Sequence, residues 1–178
     1  LLDGDSEMVE ASRAWLDPAE RQRADRLIRP EDQRRFLLAH ACQRAILAAY
    51  VGCDPAAVTV RQEINGKPAL CDGDADPHPI RFNLSHSHGR MVLVLARQRE
   101  IGIDLEPVRD RSEDLGKLAE RFFAPAECEV IVAALPPRRA ETFARYWVAK
   151  EAFLKYKGIG LQFPLGDCLV TMDADGAS

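Results

Sequence analysis

Met91-Val92-Leu93-Val94-Leu95-Ala96-Arg97-Gln98-Arg99-Glu100-Ile101-Gly102-Ile103-Asp104-Leu105-Glu106 is the stretch on which the reading of the fold turns. Two runs suited to strands flank a polar connection at 97–100, and Pro107 stops the second, so the pattern predicts a hairpin. Outward from it, helix and strand signals are interspersed. Asp17-Pro18-Ala19-Glu20 supplies an N-cap acid, a proline for the first helical position and an acid in the first turn, which predicts a helix to about residue 27. Pro30-Glu31-Asp32 opens a longer helix that Gly52 ends. Residues 58–62 predict a short strand, 65–68 a turn and 71–79 a polar loop. Further helices are expected at 114–121, 125–134 and 141–157, the last closed by Gly158 and Gly160, and a final strand at 168–172 before a turn at 173–176. Elements mixed in this way, without strict alternation, imply an α+β fold with mainly antiparallel pairing.

The chain has 178 residues, 24 Lys+Arg against 28 Asp+Glu, a formal charge of −4 and 47% hydrophobic residues. That is enough for one domain or two small lobes around a core, and it excludes a disordered chain. The longest apolar runs, 45–51 and 91–96, fall short of the ~20 residues a membrane helix needs, and no charged-then-apolar leader precedes them. A soluble protein is the expectation, with Leu1 in first place leaving room for an N-terminal piece. Cysteines 42, 53, 71, 128 and 168 form no C-x-x-C pair, which argues against a disulfide framework or zinc site and for reduced thiols in the cytoplasm. Mild acidity excludes a general nucleic-acid binder. Between Arg13 and Arg44, however, stand eight arginines and no lysine against five acids. Such a segment could meet a phosphate-rich ligand.

Four features could carry chemistry. Asp72, Asp74 and Asp76 alternate as in a calcium loop, but Pro77 and Asn83 stand where an EF-hand needs Gly and Glu, so a solvated loop is the reading. On a strand Asp104 and Glu106 share one face, ~7 Å apart, as a cradle for a hard cation such as Mg²⁺ or as a merely solvated edge. In the helix at 141–157, Phe143, Trp147 and Leu154 form an apolar stripe that contains Lys150 and is edged by Glu151 and Lys155. The last two are also spaced as a surface ion pair. Asn83-Leu84-Ser85-His86-Ser87-His88-Gly89 gathers hydroxyls and imidazoles that suit phosphate oxygens, with a polar turn as the plainer alternative. His86 and His88 lack a third ligand for zinc, and Ser85 lacks a hydrolase elbow.

Asn83–Ser87, Ile101–Glu106, Arg121-Phe122-Phe123 with Glu127, and Trp147-Val148-Ala149-Lys150-Glu151-Ala152-Phe153-Leu154-Lys155 with Gly158 and Gly160 occur in this order. Together with Gly66-Lys67-Pro68, this order resembles the 4′-phosphopantetheinyl transferase superfamily, in its larger, monomeric, surfactin-synthetase-activating type. The resemblance spans residues 15–165. It implies two pseudo-symmetric α+β lobes, 1–99 and 100–178, each a mainly antiparallel sheet packed with helices, with a ligand cleft between them. The second lobe would end early, at 173–178. The implied reaction moves the phosphopantetheine arm of coenzyme A to a serine of an acyl or peptidyl carrier protein and releases adenosine 3′,5′-bisphosphate. By motif match the metal ligands are Asp104, Glu106 and Glu151, holding Mg²⁺, with Mn²⁺ as the alternative. Glu151, or a water it orients, is the implied base, and Lys155 the residue that steadies the leaving phosphate. Ser85, His86, Lys67, Arg35 and Arg23 are implied coenzyme A contacts, and Glu127 is a secondary candidate. Trp147 and Lys150 match motif positions but equally fit packing and a structural ion pair. Phe36 and Glu20 depart from the hydroxyl residue and lysine of some relatives, which bears on the 3′-phosphate contacts. The resemblance implies a monomer with no nucleic-acid or membrane partner. A metal-dependent phosphohydrolase and a non-catalytic carrier binder are the rival classes; the second would lack acids that this chain has.

Overall fold

Proline and acid signals place the first helices. In the structure, a computed structural model that describes every residue except 1, 3, 64–65, 72–79, 110–114, 161–162, 174–175 and 178, α1 runs Ser6–Arg13, α2 Pro18–Asp25 and α3 Pro30–Val51. The sequence reading did not include α1, whose cap is the Asp5 side chain accepting from the Met8 N–H. α2 carries a complete capping box: the Asp17 carboxylate accepts from the Glu20 N–H and the Glu20 carboxylate from the Asp17 N–H. Gly52 closes α3 with φ of 74°, the left-handed conformation glycine tolerates.

The acids of that cap also hold Arg44, which is 1% exposed on α3. Its Nε donates to Glu20 Oε2 at 2.6 Å, one Nη to Asp17 Oδ2 at 2.9 Å and the other to the Val58 carbonyl at 2.7 Å. A buried guanidinium is tolerable only when its donors are satisfied in this way. The arrangement fixes α2 against α3 and against the start of β1 (Val60–Gln62).

β1 pairs antiparallel with β2 (Pro68–Leu70), and β3 (Ile80–Ser87) pairs antiparallel with β4 (Arg90–Arg97). This corrects the expected hairpin. β4 is the run at 91–96, but its partner is the preceding segment, and residues 101–106 form no strand. The turn explains the choice: His88 and Gly89 both take positive φ, 49° and 73°, as a two-residue hairpin loop requires, whereas 97–100 has no glycine. Of the segment 83–89, for which a polar turn is the alternative reading, residues 83–87 are strand and only His88-Gly89 make the turn.

Past residue 114 come α4 (Leu115–Phe122), α5 (Pro125–Ala133) and α6 (Pro136–Lys157), which Gly158 closes with φ of 67°. α6 begins well before residue 141, at a proline placed in its first turn. The expected strand at 168–172 is replaced by irregular chain, and only β5 (Met172–Asp173) pairs, with β6 (Gly176–Ala177). The aspartate loop, the start of the turn at 65 and the centre of the last turn lie outside the described residues. Apolar clusters centre on Leu47, Ile80 and Phe82, on Leu16 and Leu37, on Leu38 and Ala39, and on Phe123, Ile131 and Tyr146. The fold is α+β, and the strand pairs among the described residues are antiparallel. None of the described helices is long and apolar enough to cross a membrane.

Candidate active site

Residues 100–106 run beside β3 in its own direction, tethered by side chains rather than by a main-chain ladder. Arg81 Nε pairs with Glu100 Oε1 at 3.0 Å. The Ile103 N–H donates to Asn83 Oδ1 at 2.9 Å and the Leu105 N–H to Ser85 Oγ at 3.1 Å. Ser85 Oγ donates in turn to Asp104 Oδ1 at 3.0 Å. Alternation along β3 puts Arg81, Asn83, Ser85 and Ser87 on one face, so successive residues of that face hold successive parts of the segment.

The other side of the segment presses on α6. A Cβ on Gly102 would stand 2.1 Å from the Ala152 carbonyl oxygen and 2.4 Å from the Tyr156 nitrogen, so only glycine permits this approach. Asp104 is thereby brought to the helix that carries Glu151 and Lys155. Lys155 Nζ donates to Asp104 Oδ1 at 2.6 Å and to Ser85 Oγ at 3.2 Å. Two acceptors nearby, Asp104 Oδ2 and Glu151 Oε1, are buried with no hydrogen-bond partner among the described residues. Glu151 is held above the ordinary carboxylate range, first by burial and then by the charge of Asp104, with Glu106 adding and Lys155 opposing.

A cation would satisfy both lone oxygens, and oxygen donors are what a hard divalent ion takes. No three His, Cys, Asp or Glu side chains among the described residues are already gathered as a metal shell, and Lys155 sits against Asp104. The two lone carboxylate oxygens suit a hard cation in charge and donor type, although the acids are not drawn together as a shell.

Beside this cluster lies a basic cavity of ≈ 530 Å³, whose walls include Arg23, Arg29, Arg35, His40, His86 and Ser87. Phe36 stacks on His40 with centroids 4.0 Å apart, and the Arg23 guanidinium lies 5.5 Å over the Phe36 ring. Phe36 thus supports a cation here through its π face. His86 keeps much of its surface, yet its pKa is lowered, first by desolvation where it meets the cavity and then by His40, Lys155 and Arg23. Glu106 and Arg109 border a second, apolar cavity of ≈ 280 Å³ walled by Leu115, Leu118, Phe122, Phe143 and Trp147. Trp147 packs edge-on to Phe122, a packing role.

Three candidates stand elsewhere. Lys67 does not border the basic cavity; its ammonium donates to Glu100 Oε2 at 2.6 Å and to the Tyr156 carbonyl at 2.9 Å. Glu127 and Lys150, 1% and 0% exposed, form a buried ion pair of 2.7 Å. Glu127 also accepts from the Val170 N–H at 2.7 Å, and Lys150 donates to the Leu165 and Cys168 carbonyls. The Cys168 carbonyl and the Val170 N–H are thereby committed to buried side chains, and residues 168–171 form no strand. Sequence reasoning passed over Asn83 as a tether and His40, Arg29 and Arg109 as cavity residues. Helical spacing on α3, with Arg35, Phe36 and His40 on adjoining positions, was the available signal for His40.

Paired acids and a lysine beside an arginine-lined cavity are the parts of a phosphate-handling site. Comparison with known proteins narrows this class: residues 5–99 match the family description "4′-phosphopantetheinyl transferase, N-terminal" and residues 100–178 match "4′-phosphopantetheinyl transferase superfamily". The chain belongs to the 4′-phosphopantetheinyl transferase superfamily. It is 39% identical over 160 residues to 4′-phosphopantetheinyl transferase HetI of Nostoc sp., covering 90% of this chain and 67% of that protein. A putative 4′-phosphopantetheinyl transferase of Synechocystis sp. is 34% identical, with 90% of this chain and 64% of the relative covered. 4′-Phosphopantetheinyl transferase Sfp of Bacillus subtilis is 31% identical, with 92% and 69% covered. The chain thus spans about two-thirds of the length of these relatives.

Proposed function

We propose that this chain transfers the 4′-phosphopantetheine arm of coenzyme A to a serine hydroxyl of an acyl or peptidyl carrier protein, releasing adenosine 3′,5′-bisphosphate. The observation that carries the reading is that one strand serves both parts: Ser85 of β3 holds Asp104 and Lys155, where Asp104 and Glu151 each keep an unpartnered oxygen, and the next two residues, His86 and Ser87, line the arginine-rich cavity. The cavity suits the phosphorylated nucleotide end of coenzyme A, with Arg23, Arg35 and His86 as its donors. Asp104, Glu106 and Glu151 would hold Mg²⁺, or Mn²⁺ in its place. When bound, the ion would neutralise charge developing on the pyrophosphate.

The remaining work falls to side chains. Lys155 brings a positive charge to the same place, poised by Ser85 to shift from Asp104 toward a leaving phosphate. Glu151, whose proton affinity is raised by burial and by Asp104, is the group suited to accept the serine proton, directly or through a water. Ser85 keeps its oxygen on the Leu105 N–H, so the segment holding Asp104 stays in register. In the same reading, residues 1–99 and 100–178 are two lobes, and the protein works as a cytoplasmic monomer.

The test is intact-mass spectrometry of apo carrier proteins incubated with the chain, coenzyme A and Mg²⁺. The expected result is a gain of ~340 Da on the carrier, abolished by a chelator. No gain on any of several carriers, with or without hydrolysis of coenzyme A, overturns it.

A further inference from the structure

We infer that Lys67 is a positioning residue, a clasp that holds the segment carrying Asp104 to the end of α6 carrying Glu151 and Lys155; this rests on the proposed transferase reading. The ammonium joins two points that are far apart in sequence. One is Glu100 Oε2 at 2.6 Å, at the head of the tethered segment. The other is the Tyr156 carbonyl at 2.9 Å, next after Lys155 and among the last carbonyls of α6, which the helix itself leaves unbonded. Between these attachments lies the closest approach of the two pieces, Gly102 against Ala152 and Tyr156. Lys67 thus fastens a contact that glycine only permits.

Burial and charge support the assignment. The Lys67 side chain is 8% exposed, and a charge so enclosed needs full compensation, which Glu100 and the helix carbonyl supply. The carbonyl end of a helix also favours a cation. Glu100 is braced from its other oxygen by Arg81, and Arg81 pairs with Glu63 at 3.2 Å, so the clasp is anchored in β3 and in the turn region before β2. An ammonium so bound has no free reach into the basic cavity.

Hydrogen exchange of the free protein and transfer kinetics together test this. Lys67→Met is expected to speed amide exchange ~10-fold in peptides covering 101–106 and 152–159 while leaving α3 unchanged. It should lower kcat ~10-fold with the KM for coenzyme A within ~2-fold. Lys67→Arg should restore most of both. Glu100→Gln, which leaves the lysine in place, should move both readouts in the same direction by less, and it decides the matter if Lys67→Met does not fold. Unchanged exchange in Lys67→Met and Glu100→Gln overturns the clasp, as does a raised KM for coenzyme A with kcat intact. If the unaltered chain transfers nothing to any carrier, the transferase reading fails, and the exchange measurement still decides whether Lys67 holds the two pieces together.

Discussion

Neighbouring residues on α6, Lys150 and Glu151, illustrate two uses of buried charge. Lys150 is saturated: Glu127 and two carbonyls take its donors, and Glu127 in turn accepts the Ala124 and Val170 N–H groups. Glu151, one position on, keeps an oxygen with no partner and faces the like charge of Asp104. A charge whose valences are all filled inside the protein can only hold the fold. One left open, at a cost in stability, is available to a ligand.

The contrast predicts opposite consequences for the two sites. Glu127→Ala strands the ammonium of Lys150 and two main-chain donors, so it should cost about 3–5 kcal/mol, seen as a melting temperature lower by roughly 6–20 °C. Asp104→Ala is expected to reduce transfer ~100-fold or more while shifting the melting temperature much less than Glu127→Ala, because removing it relieves repulsion on Glu151. A large loss of stability in Asp104→Ala with transfer intact would erase the distinction. Gly102→Ala drives a methyl into the Ala152 carbonyl and should cost about 1–3 kcal/mol, with transfer reduced ~10-fold as the acids separate.

The smallest effect belongs to the saturated cluster of the N-terminal half. Burial alone would raise the pKa of Glu20, but hydrogen bonds from His40, the Asp17 main chain and Arg44 outweigh it, and the pKa is lowered below 4.5. Its stabilisation is therefore present above the ordinary glutamate value and is lost as pH falls through the lowered one. Glu20→Gln should destabilise by about 1 kcal/mol at neutral pH, and the gap to the unaltered chain should close as pH drops below 4.5, followed by thermal melts across pH.

Much of this was legible in the sequence because it is local. Caps such as Asp17 with Glu20, and glycines at 52 and 158, mark helix ends through interactions within a few residues. The motif residues Ser85, Asp104, Glu151 and Lys155 were named before their geometry was known, and the structure brings them together. Strand pairing was misread because two candidate partners for 91–96 competed. The winner was chosen by the backbone conformation of His88-Gly89, which alternation does not report. The ion pairs and carbonyl contacts of Lys67 and Glu127 were not legible for a different reason: their partners, Tyr156 and Lys150, lie far along the chain. Whether a charge is spent or open depends on such distant atoms.

The side-chain tether along β3 has a last consequence. In a main-chain ladder the hydrogen bonds come from groups that every residue but proline carries, so no single side chain makes them. Here the amides of Ile103 and Leu105 are gripped by Asn83 and Ser85 themselves. The location of Asp104 is thus written into the identity of two residues of a neighbouring strand: Asn83 acts on it through the main chain alone, and Ser85 also through its own hydrogen bond to the acid. Variation at 83 becomes a dial on the site that leaves Asp104, Glu151 and Lys155 themselves unchanged.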